Sequence, residues 1–295
     1  MSLEDFIIHV YVLVDDWFKK EAVILRKSGF PPAFSDAEVI TLEIVGEYLG
    51  YDKDKSNWKY FHQHWLEWFP QLPTRTTYVR QCANLWVVKQ RLHSMLCEEM
   101  GVKESSVHRV DGFPIPLCNF RRANRCQLFQ GEADYGHCAS KNMTYYGFQA
   151  LVIVSSVGVI TGFTVMAANH DEAEGVFECL STQKGLLEGD KGFIRPILKE
   201  DLANCNQLNL QTPLRRNMND SRPKTYVKEL MRDRRLVETV IGQLTEQFNI
   251  QKLRARDRWH LTVRITRKIL SHTMAVFLNV TAGRSPLHIA DLVSL

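Results

Sequence analysis

The sequence predicts a mixed α/β fold class: a helical N-terminal region over residues 1–103, then a domain over 104–295 whose mixed sheet is flanked by helices. Three observations predict it. Apolar residues recur at helical spacing through the first hundred positions. From Asn142 to Asn169 no residue is charged, and Val, Ile, Thr and Tyr dominate. Beyond Gly185, short apolar strand-like runs alternate with helical ones. The chain has 295 residues, 45% hydrophobic and 24% charged. That is ordinary globular composition, and it excludes disordered, collagenous and small disulfide-stapled classes.

In chain order, Phe34-Ser35-Asp36-Ala37-Glu38-Val39 reads as a helix start. Ser35 is the N-cap, Glu38 closes a capping box, and Phe34 with Val39 forms a staple. That helix is expected to run to Gly50. Trp58, Phe61, Trp65, Trp68 and Phe69 follow as an aromatic core stripe. A long helix is expected from Arg75 to Met100, with Tyr78, Cys82, Leu85, Leu92 and Leu96 on one face. A strand spans Ser106–Ile115. Tyr145–Val154 and Val159–Ala168 form an antiparallel pair around Gly158. A helix capped by Asp171 follows. Next come a strand at Gly185–Glu188, a helix at Ile194–Asn204 and a strand at Leu208–Thr212. One continuous helix is expected from Pro223 to Phe248, and a last one from Trp259 to Leu278.

Charge is unevenly distributed. Residues 1–100 hold 11 basic and 14 acidic side chains, 101–200 hold 10 and 11, and 201–295 hold 16 and 8. The last third is therefore +8, which points to a polyanionic partner such as nucleic acid. Seven cysteines without a CxxC pair argue for a reducing compartment and against a zinc finger. The grouping Cys118, Cys126, His137 and Cys138 lacks structural-zinc spacing. The uncharged stretch 142–169 is long enough to span a bilayer, but Gln149, Ser155, Ser156 and Gly158 make it a buried hairpin. Met1-Ser2-Leu3-Glu4-Asp5 is acidic where a secretory signal is basic. The expectation is a cytoplasmic protein without a membrane segment.

Three carboxylates occupy special positions. Asp111 lies on the first strand, Asp190 directly follows the strand ending at Glu188, and Glu238 sits in the helix after Pro223. Phosphoryl transfer assisted by Mg²⁺ requires oxygen ligands of this kind. Two ions about 3.5–4 Å apart can activate an attacking oxygen and stabilise a leaving one. With 33 acidic residues in the chain, many such triples exist, so solvated or capping carboxylates are the competing reading for each.

Val110-Asp111, Gly189-Asp190-Lys191-Gly192-Phe193 and Arg234-x-x-x-Glu238 resemble, in order and context, the three signature blocks of DDE transposases of bacterial insertion sequences. Ser35-Asp36-Ala37-Glu38-Val39-Ile40-Thr41 and Thr76-Thr77-Tyr78-Val79-Arg80-Gln81 resemble the insertion-sequence nine-eighty-two branch in particular. The likeness covers nearly the whole chain. It implies an RNase H-like catalytic domain in which Asp111, Asp190 and Glu238 are catalytic and hold two Mg²⁺ ions, with Mn²⁺ as a substitute. Water then cuts the phosphodiester at the terminal inverted repeats, and the freed 3′-OH attacks target DNA without a covalent protein intermediate. A homo-oligomer when active and a place at the bacterial nucleoid are also implied. Related branches carry a tyrosine three residues before the arginine and a lysine seven after the glutamate. This chain has Met231 and Thr245 there, so the residue that grips the terminal phosphate stays open.

The candidate DNA-phosphate contacts are Lys191, Arg215, Arg216, Arg234, Arg254, Arg256, Arg258, Arg264, Arg267 and Lys268, with Arg121, Arg122 and Arg125 in an insertion after the first strand. Arg264, Arg267 and Lys268 share a helix face by their spacing. Surface charge is the competing reading for each singly. Asn169-His170-Asp171 lacks the further histidines of a metal phosphohydrolase. Two rival functions remain at this point: a catalytically inactive DNA-binding regulator derived from a transposase, and an RNase H-like nuclease that cuts without joining.

Overall fold

The structure, a computed structural model, describes residues 1–21 and 31–294. It resolves into two compact units, Met1–Leu96 with Glu246–Leu295, and Cys97–Thr245. The chain opens with α1 (Leu3–Glu21), α2 (Asp36–Tyr48), α3 (Asp54–His64), α4 (Arg75–Asn84) and α5 (Trp86–Glu99). Then come β1 (Val107–Asn119), the one-turn α6 (Phe120–Ala123), β2 (Asp134–Cys138), β3 (Met143–Ser155) and β4 (Ile160–Ala167). These are followed by α7 (Glu172–Cys179), β5 (Gly185–Glu188), α8 (Pro196–Asn206) and β6 (Leu208–Gln211). Two helices, α9 (Lys224–Asp233) and α10 (Arg235–Glu246), precede the long α11 (Arg258–Thr281).

In the first unit, α1 buries Phe6, Ile7, Val10, Val14 and Trp17, one stripe at three-to-four-residue spacing. The expected capping box starts α2: Ser35 Oγ accepts from the Glu38 N–H at 3.1 Å, and Glu38 Oε2 accepts from the Ser35 N–H at 2.7 Å. Helix α2 packs on both α1 and α11. Of its 13 residues 11 are buried, and 17 of the 24 in α11, so both helices are enclosed on nearly every side. Residues 246–295, which the sequence grouped with the second domain, therefore pack on the N-terminal helices. The expected Arg75–Met100 helix breaks at Leu85, whose N–H bonds to the Cys82 carbonyl three residues back. Of the aromatic stripe, Phe61 and Phe69 are buried while Trp68 is exposed.

Six charged side chains are folded into this unit. Lys89 Nζ donates to both Glu43 oxygens at 2.9 and 2.8 Å. Arg267 donates to Glu47 Oε1 at 2.5 Å, Asp54 Oδ1 at 2.6 Å and the Asp52 carbonyl at 2.9 Å. Lys268 Nζ donates to Glu47 Oε2 at 2.8 Å. Three cations thus offset three carboxylates, which is how enclosed helices can carry charge at all. Burial pushes the Lys268 pKa down despite Glu47. For Arg267 burial works in the same direction, but Glu47, Asp54 and Glu43 outweigh it and hold the guanidinium charged.

The second unit is built on a six-stranded sheet in the order β2-β3-β1-β5-β6, with β2 and β4 paired to different stretches of β3. Strand β1 is antiparallel to β3 and parallel to β5, and β5 is parallel to β6. Val110, Leu151, Ile153, Leu187, Leu208 and Leu210 of the sheet form one core with Ala173, Val176 and Cys179 of α7 and Leu198 and Leu202 of α8. Gly185 opens β5 with φ +93°, and a Cβ there would stand 2.4 Å from the Ser106 carbonyl. Glycine is thus what lets β5 enter against β1. Strand β2, inside the expected loop-like insertion, was not marked by the sequence. The expected Pro223–Phe248 helix is interrupted at Arg234, where the Val237 N–H bonds to the Arg234 carbonyl three residues back. The surrounding Arg232-Asp233-Arg234-Arg235 offers no apolar residue to hold a single helix axis.

Candidate active site

The site grows from the β1–β5 pairing. Arg109 lies opposite Glu188 in that parallel register. Asp111 and Asp190 each follow two residues later, so the two carboxylates leave neighbouring strands at the same level. The Arg109–Glu188 pair ties the strands just below them, at 3.0 Å between Nε and Oε2, with side chains only 7% and 4% exposed. Burial raises the Glu188 pKa, and Arg109 opposes that rise.

Asp111 accepts from the Gly112 N–H at 2.9 Å through Oδ1 and from Arg234 Nη2 at 3.3 Å through Oδ2. Its pKa is raised, first by burial and further by Asp190, against the pull of Arg234. Asp190 starts the turn Lys191–Phe193, and its Oδ1 accepts from the Gly192 N–H at 2.6 Å. Because the expected Pro223–Phe248 helix is split, Glu238 lies in the first turn of α10, with its side chain 55% exposed. Arg234 Nη2 stands 3.6 Å from Glu238 Oε1. One guanidinium therefore sits between Asp111 and Glu238, and Arg234, expected at DNA phosphate, is a bridge within the site.

A fourth carboxylate escaped the sequence reading. Glu172 is the first residue of α7, beside Asp171, whose Oδ1 caps that helix through the Ala173 N–H at 3.0 Å. Gln149 Nε2 donates to Glu172 Oε1. That oxygen lies 2.5 Å from where a Cβ on Gly112 would stand, so the bare backbone at 112 makes room for it. Burial, then the charges of Asp190, Asp111 and Asp171, push the Glu172 pKa up to about 7. The signal for Glu172 was its place directly after a predicted N-cap, on the turn that follows β4. Among the described residues, no three His, Cys, Asp or Glu side chains are grouped closely enough to hold a metal ion.

The other expected positions scatter. Lys191, Arg215, Arg216, Arg254, Arg256 and Arg258 are exposed. Arg264 is half-buried, donating to the Leu253 carbonyl at 2.7 Å. Arg267 and Lys268, expected to meet DNA, are each 1% exposed and committed to Glu47, Glu43 and Asp54. Their shared face is the inward one. Among the described residues, no helix is long and apolar enough to cross a membrane.

Neither a curated protein nor a solved structure matches the chain. A family model, that of the transposase DDE domain, matches residues 102–258, more than half of the chain and a stretch that contains Asp111, Asp190, Glu172 and Glu238. On that match, over strands and helices that bring Asp111 and Glu238 to one arginine, the chain belongs to the transposase DDE domain family.

Proposed function

We propose that the chain is a transposase of the insertion-sequence nine-eighty-two branch. Its second unit is an RNase H-like catalytic domain that cuts double-stranded DNA at terminal inverted repeats and joins the freed 3′-OH to target DNA. The observation that carries the reading is the shared level of Asp111 and Asp190 on parallel strands, with Glu238 reached through Arg234. The strand order supports the fold: β1, β3 and β4 run as an antiparallel meander, and β5 and β6 follow in parallel through helices. The blocks around Ser35–Thr41 and Thr76–Gln81 support the branch.

Two Mg²⁺ ions, or Mn²⁺ in their place, would be held by the site's carboxylates once they draw closer than they stand here. Asp111, Asp190 and Glu238, with Glu172 beside them, supply only carboxylate oxygen. Burial and mutual repulsion disfavour the charged forms of Asp111 and Glu172, a cost that a divalent cation would relieve. Such ions would supply Lewis-acid stabilisation of the phosphodiester and a more acidic attacking water. The chain's own residues do the positioning. The Gly112 and Gly192 N–H groups orient Asp111 and Asp190. Arg234 offsets the charge of Asp111 and Glu238. Lys191, exposed beside Asp190, is free to meet a phosphate. The active form is a homo-oligomer working on DNA in the bacterial cytoplasm.

The test is a strand-transfer assay with the full chain, Mg²⁺, a duplex carrying the element's end and a circular target. Joined products support the reading. Nicks without joining make the protein a nuclease, and a shifted duplex with no cut makes it a regulator.

A further inference from the structure

The first unit holds an open cleft of about 800 Å³ whose walls come from two distant parts of the chain, residues 52–84 and 252–264. Its charged lining is one-sided. Eight Lys and Arg residues face it against two carboxylates, Asp52 and Asp54, and Asp54 is already bound to Arg267. Lys53, Arg75, Arg80, Lys252, Arg254 and Arg256 are exposed, and among the described residues none of the six makes a side-chain ion pair. Unpaired cations gathered in a concavity raise the local concentration of an anion.

The backbone shapes this surface. From Lys252 to Arg256 exposed and buried residues alternate: Lys252, Arg254 and Arg256 point out, while Leu253 and Ala255 are buried at 6% and 1% exposure. Arg254 takes φ +54°, a left-handed conformation that a non-glycine residue adopts at a cost. Arg264 fixes the segment from behind, donating to the Leu253 carbonyl at 2.7 Å and reaching Asp54 at 3.5 Å. The first turns of α3 and α4 also open here, and neither has a side-chain cap on its N–H groups. Those partial positive charges add to the six cations. Trp259, 47% exposed and packed edge-on against Trp86, gives one wall an aromatic surface.

We propose that this cleft holds the phosphate backbone of double-stranded DNA without regard to base sequence, and that Arg264 is a positioning residue that sets the Lys252–Arg256 ribbon rather than touching phosphate itself. The proposal rests on the DNA-processing reading above and adds where the duplex is gripped. Several cations along one open cleft suit a partner that carries many phosphates, and no base-reading pattern of side chains is needed for it.

The test is a fluorescence-anisotropy titration of a labelled random-sequence duplex with the full chain, repeated across a salt series. The variants are Arg254→Ala/Arg256→Ala and an equal-charge control, Lys19→Ala/Lys20→Ala on α1. Each phosphate left without its cation should make the slope of log K against log salt shallower by about 0.9, which at about 0.1 M salt is roughly 8-fold in affinity. The cleft pair should therefore bind roughly 60-fold more weakly, with a slope shallower by about two units. The control should bind like the wild type. Because the cleft residues are exposed and unpaired, the melting temperature should not move, and the charge-reversing Lys252→Glu gives a second, independent weakening. Unchanged affinity and slope in the cleft pair and in Lys252→Glu overturn the proposal, as does an equal weakening in the control or a single strand that outcompetes the duplex. Wild type that binds duplex but never cuts it sinks the functional reading and leaves the cleft standing.

Discussion

Arg267→Met removes a guanidinium that is 1% exposed and bonded to Glu47 at 2.5 Å, Asp54 at 2.6 Å and the Asp52 carbonyl at 2.9 Å. Methionine fills much of the same space, so packing survives while charge balance does not. Lys89 and Lys268, with Arg264 at 3.5 Å from Asp54, then face three carboxylates, and Glu47 and Asp54 are each deprived of their shortest partner. Breaking a buried pair by removing one member costs about 3–5 kcal/mol. For a unit near 150 residues, each kcal/mol moves the melting temperature by roughly 2–4 °C. The expected drop is thus on the order of 10 °C, read by circular dichroism or calorimetry. Arg256→Ala, an exposed arginine nearby, should stay within about 0.5 kcal/mol of the wild type. The two arginines also swap signatures on DNA: Arg256→Ala loses affinity and keeps stability, and Arg267→Met does the reverse. A melting temperature for Arg267→Met within about 2 °C of the wild type would refute the buried network.

Arg109→Met should destabilise the second unit by about 3–5 kcal/mol, because Glu188 is left buried and unpaired. Adding Glu188→Leu should recover much of that stability, and a double variant no more stable than Arg109→Met would contradict the pairing. Glu172 gives a pH signature. Its carboxyl titrates at about 7 in the folded chain against an ordinary 4.5, so the fold holds this proton more tightly than the unfolded chain does. The resulting contribution is fully present below about pH 4.5 and is lost as pH rises through about 7. Melting curves of Glu172→Gln should therefore fall less than the wild type's between pH 5 and 8; parallel pH profiles would show that Glu172 is not under that burden.

Features encoded within a few residues were legible in the sequence. The capping box at Ser35, the N-cap at Asp171 and the four-residue strand Gly185–Glu188 all rest on local chemistry, and all appear where expected. What long-range pairing decides was not. Nothing local says that Arg109 lies opposite Glu188, yet that register is what levels Asp111 with Asp190. The spacing of Arg264, Arg267 and Lys268 gives a common face but not its direction. The clue lay in Glu43 and Glu47, set among Leu42, Ile44 and Val45 in the body of α2, carboxylates that had to find cations inside. Glu172 was hidden because the adjacent Asp171 already explained the acidic start of α7. The Arg234–Asp111 contact, which lets one arginine serve both Asp111 and Glu238, joins groups 123 residues apart in sequence.

The central claim is that Asp111 belongs to the machinery that cuts DNA, and its most direct test is the rate at which Asp111→Asn cleaves a duplex carrying the element's end in Mg²⁺. On the proposed role of Asp111 as a metal ligand, losing its charge would remove several kcal/mol of transition-state stabilisation, a rate reduction of about a thousandfold or more. Affinity for the duplex should stay at the wild-type value in the same preparation. Cleavage by Asp111→Asn at near the wild-type rate would contradict the account, whatever the other carboxylates do.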